Sequence, residues 1–402
     1  MVHKILSLHN TCTGCFACAN ACPKDAISLP SGFEGFYYPK IDEEKCINCQ
    51  LCDKICPVLN PIKTSIMSHA YYGWSKNDSI RKASSSGGLF YHLASIVLDD
   101  GGIVYGASFD YGDTIRLSCH STKEVHLKEL MKSKYIQSYI GYAYRDIKND
   151  LGAGYLVLFC GTPCQVSGLK SFLCKDYDNL ITIDFVCHGV PSMDLFIKHL
   201  EYLNISHVVD VNFRPKNTAW YDDFEIRYKQ SSLSKRTVLR KIPWTFDEFF
   251  YKLYAKNYSI RRSCQKCSYC NGQRPGDITI ADFWGVKNYR PELWDSKGIS
   301  MILAINSRGL YLINRLQKVE GCFIEEMPTY YAEYAFSHKR TDKTSEFQLS
   351  DRDAFLKDVY SIGYRQSLVK YGLRTRKIDY LLFRIKRMML YIYRKLYVKS
   401  KI

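Results

Sequence analysis

The sequence predicts an α/β protein with α+β character: a small cysteine-rich domain in front, a larger mixed α/β domain behind it, and a basic helical tail. Three observations predict this. Eight of the seventeen cysteines stand in two identical runs between residues 12 and 56. From residue 67 to 365, short apolar runs alternate with stretches whose apolar residues recur every three or four positions, as when strands alternate with helices. Residues 370–402 carry eleven Lys/Arg against one acid, Asp379. The expected boundaries are a first domain at 1–60, a linker at 61–69, a main domain at 70–365 with parts at about 70–150 and 151–340, and a tail at 366–402.

Taking the chain in order, Cys12, Cys15, Cys18, Cys22 and Pro23 form the first run, and Cys46, Cys49, Cys52, Cys56 and Pro57 the second. Each reads C-x2-C-x2-C-x3-C-P, the spacing of bacterial ferredoxins, in which three close thiolates hold a 4Fe-4S cluster and the fourth serves the other cluster. The implied sets are Cys12, Cys15, Cys18 with Cys56, and Cys46, Cys49, Cys52 with Cys22. Gly14, Ala17, Ala19 and Ala21 let the backbone wrap closely and aim amide hydrogens at sulfur. A disulfide knot and a pair of zinc sites are the competing readings. Zinc favours two spaced cysteine pairs, whereas here three ligands are local, one is remote and the plan is duplicated. The stretch from Ala26 and Ile27 through Phe33, Phe36 and Tyr37 suits a short hairpin closing over the clusters.

Asn60-Pro61 opens a connector. Tyr71 to Trp74 reads as a strand. Ala83-Ser84-Ser85-Ser86-Gly87-Gly88 then precedes a helical stripe of Leu89, Leu93, Val97 and their neighbours. Such a Ser/Gly opening is either an ordinary cap or a seat for a phosphate at the positive end of the helix. Ile103 to Phe109 is a strand. Tyr155 to Phe159 is a strand ending in Cys160-Gly161-Thr162-Pro163-Cys164, with a helix beginning near Pro163. Leu180 to Val186 repeats the plan, ending in Cys187-His188-Gly189-Val190-Pro191 before a helix over Leu195 to Leu203. Neighbouring parallel strands bring such loops together at one sheet edge, so Cys160 or Cys164 should meet Cys187. Val208 to Phe213 and Phe224 to Tyr228 read as strands, and Trp244 to Tyr254 as an amphipathic helix. Asp277 to Ile280 and Gly298 to Asn306 read as strands, with a helix from Ser307 through Leu316.

Composition narrows the function. The chain has 402 residues, 46% apolar and 24% charged, an ordinary globular mix for more than one domain. Clusters need thiolates, and the start carries no apolar signal segment, so a reducing cytoplasm is expected. No stretch approaches ~20 uninterrupted apolar residues. The tail supplies +10 of the net +16. A charge so placed is poor support for nucleic-acid binding, and an RNA-binding reading would rest on the tail alone. Leu382, Ile385, Met389, Ile392 and Leu396 recur at helical spacing there, with Arg384, Arg387 and Arg394 off the stripe. That pattern suits peripheral contact with an anionic membrane, or packing on protein.

Outside the two runs stand nine cysteines. Cys119, Cys174 and Cys322 read as small apolar residues. Cys164, Cys187, Cys264 and Cys267 suit a third 4Fe-4S cluster, with zinc and free thiols as alternatives. Ser86-Gly87-Gly88, Gly161-Thr162-Pro163-Cys164-Gln165, Cys187-His188-Gly189-Val190-Pro191, the Cys264/Cys267 pair and Asp282-Phe283-Trp284-Gly285 resemble the beta subunit family of coenzyme F-420 hydrogenases and dehydrogenases. The resemblance spans roughly residues 70–340. It implies FAD, a 4Fe-4S cluster on Cys164, Cys187, Cys264 and Cys267, flavin phosphates at Ser86, Gly87 and Gly88, and a flavin lined by Lys134, Tyr135 and Gln137. Cys270 is additional to the family's pattern, and Cys160 is an alternative to Cys164.

The implied function is an oxidoreductase passing electrons from a ferredoxin-like or hydrogenase/dehydrogenase-like protein through the clusters to FAD. From there they reach a small-molecule hydride acceptor, deazaflavin or other. Clusters carry single electrons and a hydride is a pair, so a flavin stands between them. The alternative is a non-catalytic electron-transfer subunit feeding a partner enzyme. No catalytic residue is singled out by the sequence.

Overall fold

A computed structural model describes residues 3–32, 34–216, 225–231, 237–337, 346–376, 378–383, 385, 388 and 389. Phe33, Phe224, Ile392, Leu396 and the tail arginines 384, 387 and 394 lie outside the described residues.

The two cysteine runs fold alike. Gly14 and Asn48, each just before the second cysteine of its run, take positive φ of 62° and 53°. Phe16 and Gln50, each just after it, take 68° and 57°. Short helices, Ala17–Ala21 and Leu51–Lys54, follow in both copies. The duplication in sequence is therefore a duplication of backbone. Ile27–Ser28 pairs antiparallel with Lys40–Ile41 to form the expected small hairpin.

Behind this module stands one eight-stranded mixed sheet. Its spatial order is Cys322–Met327, His69–Ser75, Ser300–Ala304, Ile278–Asp282, Leu180–Phe185, Val157–Cys160, Ile103–Asp110 and Arg116–Ser121. The inner strands Ile278–Asp282, Leu180–Phe185, Val157–Cys160 and Ile103–Asp110 run parallel. Strands from both expected halves of the main domain interleave in this sheet, so the division near residue 150 does not separate two folding units.

Strand alternation decides what packs where, because successive side chains face opposite ways. Val104, Leu158, Ile181 and Ile183 meet the helices Leu89–Asp99 and Ser307–Leu316 in one core. Ile103, Tyr105, Val157, Phe159 and Leu180 face the other way, onto helices Ala143–Gly152 and Pro163–Leu173. The cysteine-rich module joins that second core through Ile5, Phe16, Ala19, Ile27 and Leu29. It is therefore packed against the helix that follows Cys160.

A separate three-stranded antiparallel sheet comprises Val208–Asn212, Glu225–Ser231 and Thr237–Pro243. It shares a core with helices Met193–Tyr202, Glu346–Ser361 and Tyr364–Lys370 through Phe196, Tyr228, Phe249, Phe355 and Leu368. The expected single helix over Trp244 to Tyr254 is broken into a 3-10 turn, Trp244–Phe246, and a π-helix, Glu248–Tyr254. Asp247 causes the break. Its carboxylate accepts from the Phe250 amide at 2.8 Å, from Tyr228 Oη at 2.8 Å, and lies 3.2 Å from His199 Nε2.

No helix among the described residues is long and apolar enough to cross a membrane. Leu382, Ile385 and Met389 of the expected tail stripe are exposed.

Candidate redox site

The predicted cysteine sets assemble in space. Cys12, Cys15, Cys18 and Cys56 line one small cavity, with Ile5, Leu29 and Val58 around them. Cys22, Cys46, Cys49 and Cys52 line another, so each set takes its fourth member from the other run. Gly14 N–H points at Cys12 Sγ (3.4 Å) and Ala26 N–H at Cys22 Sγ (3.3 Å). Burial pushes the Cys15 thiol up to about 12, with Cys56 and Cys12 adding to it. Cys18 is pushed well above its ordinary range by burial, then by Cys15, Cys12 and Cys56. Close thiols that oppose the ionisation of Cys15 and Cys18 suit a site where bound cationic iron overturns that preference.

A third group forms around the amino end of helix Pro163–Leu173. Burial drives the Cys164 thiol well above its ordinary value, and the thiols of Cys264, Cys187 and Cys267 push the same way. Thr162 Oγ1 sits 3.1 Å from Cys164 Sγ, and Gly189 N–H points at Cys187 Sγ at 3.4 Å. Parallel pairing of Val157–Cys160 with Leu180–Phe185 is what brings these two loops together. Cys160 faces elsewhere. Burial raises its thiol to about 12, Asp184 adds to this and Lys134 opposes it, and Cys160 lines the neighbouring cleft with Cys119. Cys270 Sγ turns back to the Cys267 carbonyl at 2.8 Å.

That cleft, of about 260 Å³, approaches the ~300 Å³ lower end of small-molecule sites. Ser84, Ser85, Ser86 and Gly88 border it at the start of helix Leu89–Asp99, and Lys134, Tyr135, Cys187 and His188 border it too. Ser84 donates to Ile80 O and Ser86 to Ile299 O, both at 2.8 Å. Ser85 accepts from Ser133 N–H at 2.7 Å, which leaves its own hydroxyl hydrogen to give. Together with the helix end, this arrangement fits an anionic group. Lys134 is half-buried, donates to Met131 O at 2.6 Å, and burial lowers its ammonium to about 7. Asp282 and Arg214 pair at 2.5 Å beside Tyr135.

Two residues expected at the flavin are placed otherwise. Gln137 turns to the cysteine-rich module, its amide donating to Thr13 O at 3.2 Å and Gly14 O at 3.3 Å. Gly87 lies against the sheet, where a Cβ would come within 2.4 Å of Gly73 O and 2.7 Å of Ser300 N, so only glycine lets the turn lie there.

Sequence reasoning missed the residues that fix the module. Arg261 is 1% exposed; it donates to Cys12 O at 2.6 Å, Tyr37 O at 3.0 Å and Gln137 Oε1 at 3.2 Å. Arg145 donates to the carbonyls of Asn20, Ala19 and Cys22 at 2.8 to 3.1 Å. Arg352 grips both oxygens of Glu34 at 3.0 and 2.6 Å. His3 was missed as well: its ring nitrogens lie 3.4 Å from Cys46 Sγ and 3.5 Å from Cys52 Sγ. Isolated residues acting over such sequence distances leave no local pattern.

Twinned thiol cages seated on an α/β sheet define the class: an iron-sulfur protein built for electron transfer. Residues 11–60 match the 4Fe-4S dicluster domain, and residues 155–328 match the family described as the C terminus of the coenzyme F420 hydrogenase/dehydrogenase beta subunit. Over that second span the chain is similar to this beta subunit family. An uncharacterized polyferredoxin-like protein of Methanocaldococcus jannaschii is 38% identical over 61 residues, 13% of this chain. The match spans only 36% of that relative's length. The F420-reducing NiFe hydrogenase complex of Methanosarcina barkeri is similar with a TM-score of 0.46 and 14% identity, covering 73% of this chain and 96% of the other.

Proposed function

We propose that the chain is an iron-sulfur flavoprotein oxidoreductase. In this reading Cys12, Cys15, Cys18 and Cys56 hold one 4Fe-4S cluster and Cys22, Cys46, Cys49 and Cys52 a second. Cys164, Cys187, Cys264 and Cys267 hold a third, and FAD lies in the cleft. The flavin supplies the exchange between single electrons on the iron side and a hydride on the substrate side, a deazaflavin or another small acceptor. The Ser85 hydroxyl and the amide end of helix Leu89–Asp99 would hold its phosphates, while Lys134 and Tyr135 would line the ring. Half-buried Lys134, its ammonium lowered to about 7, can give or keep a proton near neutral pH.

One observation carries this reading. Cys187 belongs to the thiol group around Cys164 and also lines the cleft, so a single loop walls both sites. Anaerobic purification with iron, sulfide and acid-released flavin counts tests it: about twelve irons and one FAD are expected. About eight irons without flavin would overturn it in favour of a non-catalytic subunit feeding a partner enzyme.

A further inference from the structure

The cysteine-rich module meets the helix that carries Cys164 at Gly168. A Cβ added at Gly168 would lie 2.8 Å from Cys15 Cβ and 3.0 Å from Cys15 Sγ. Gly168 stands one turn after Cys164 on helix Pro163–Leu173 and on the same face. One helical turn is about 5.4 Å, so the seat of Cys15 at Gly168 and the backbone of Cys164 are about that far apart along the helix. Tyr269 fills the same junction. It stands close to Cys164, Cys15 and Cys267.

The second set reaches solvent. Cys49 is exposed, and beside it Ile47 is 57% exposed. The junction is also held. Arg261, Arg145 and Arg352 bind backbone or carboxylate of the module, and the connector is tied through Ser65 and Arg274, whose amides and carbonyls pair at 3.1 and 2.8 Å. Buried or bidentate charge-assisted bonds of this kind resist the swing expected of loosely tethered domains.

We propose that the module is a fixed relay with a set order: the exposed second set receives the electron, the first set follows, and the electron crosses to the third set at the contact of Cys15 with Gly168. This rests on the three-cluster reading above. A reduced one-electron carrier protein is oxidised at the outer set; each hop oxidises one site as it reduces the next, and no bond or proton changes. Gly168 is a positioning residue, small so that the two thiol sets can approach.

Electron paramagnetic resonance of the fully reduced, full-length holoprotein tests this. The expected result is a magnetic interaction between the first and third clusters that is lost in Gly168→Val while the iron count holds. Arg261→Met, which loosens the module without touching the helix, should weaken the same interaction if Gly168→Val fails to fold. Cys49→Ser should leave it unchanged, because Cys49 belongs to the second set. Twelve irons with no interaction between those two clusters, or an interaction that Cys49→Ser abolishes, would overturn the order and leave the three-cluster reading standing. An iron count of about eight in the unaltered protein would remove that reading itself.

Discussion

Asp184 Oδ1 and Arg274 Nη2 meet at 2.5 Å with their side chains 0% and 1% exposed. The same guanidinium donates to Tyr269 O and Phe185 O at 2.8 Å, so it ties the chain after Cys267 to the strand before Cys187. Asp184 in turn accepts from Gly276 N–H at 2.9 Å and Thr279 Oγ1 at 2.6 Å. Removing one partner of such a pair strands a buried charge and costs about 3–5 kcal/mol. Asp184→Ala should therefore lower the thermal unfolding midpoint and release iron from the third site first. Differential scanning and cluster spectra followed together during heating check both outcomes.

Cys187 serves the thiol group and the cleft at once. Cys187→Ala should reduce the iron count from about twelve to about eight and leave the spectra of the two amino-terminal clusters intact. Flavin reduction by those clusters should be lost. Unchanged flavin reduction kinetics in this variant would remove Cys187 from the path.

Gln137 points to the cysteine-rich module, away from the cleft. Gln137→Leu should keep the flavin content of the unaltered protein while losing the bonds to Thr13 O, Gly14 O and Arg261. At about 1 kcal/mol net per bond, the module should become easier to cleave at the 60–68 connector. Limited proteolysis with flavin quantitation separates this from a direct role in flavin binding.

Lys134 gives the cleft a pH signature. Burial lowers its ammonium from 10.5 to about 7, so between those values the unfolded chain holds a proton that the folded chain has released. Stability of the flavin-free protein should rise as pH climbs through this window, and the burden should be full below pH 7. Lys134→Met should flatten that slope and stabilise the flavin-free protein at neutral pH. Denaturation midpoints measured from pH 6.5 to pH 10 supply the check.

What could be read from the sequence follows from where the information lies. The cage partners were legible because six of the eight ligands are local and the plan is written twice; Cys164 and Cys187 were legible because each closely follows a strand that pairs parallel with its neighbour. Three strands were missed: Arg116–Ser121, Thr237–Pro243 and Cys322–Met327. All three lie at sheet edges. An edge strand buries little of itself and so carries a weak apolar signal, as in Thr237–Pro243, where five consecutive residues are exposed. Gln137 was misplaced because it stands between Ile136 and Ser138, both on the cleft, in a segment whose alternation sends it the other way. The family pattern gives the segment and not the facing of each residue.

The snug seat of Cys15 on Gly168 has a consequence for anyone exchanging parts among such proteins. A donor module of suitable potential, grafted onto this sheet, would still have to present a loop of the right contour to one side-chain-free position on a helix. Compatibility at that seam is a question of shape before it is one of voltage, and a single methyl group on the receiving side is enough to change the answer.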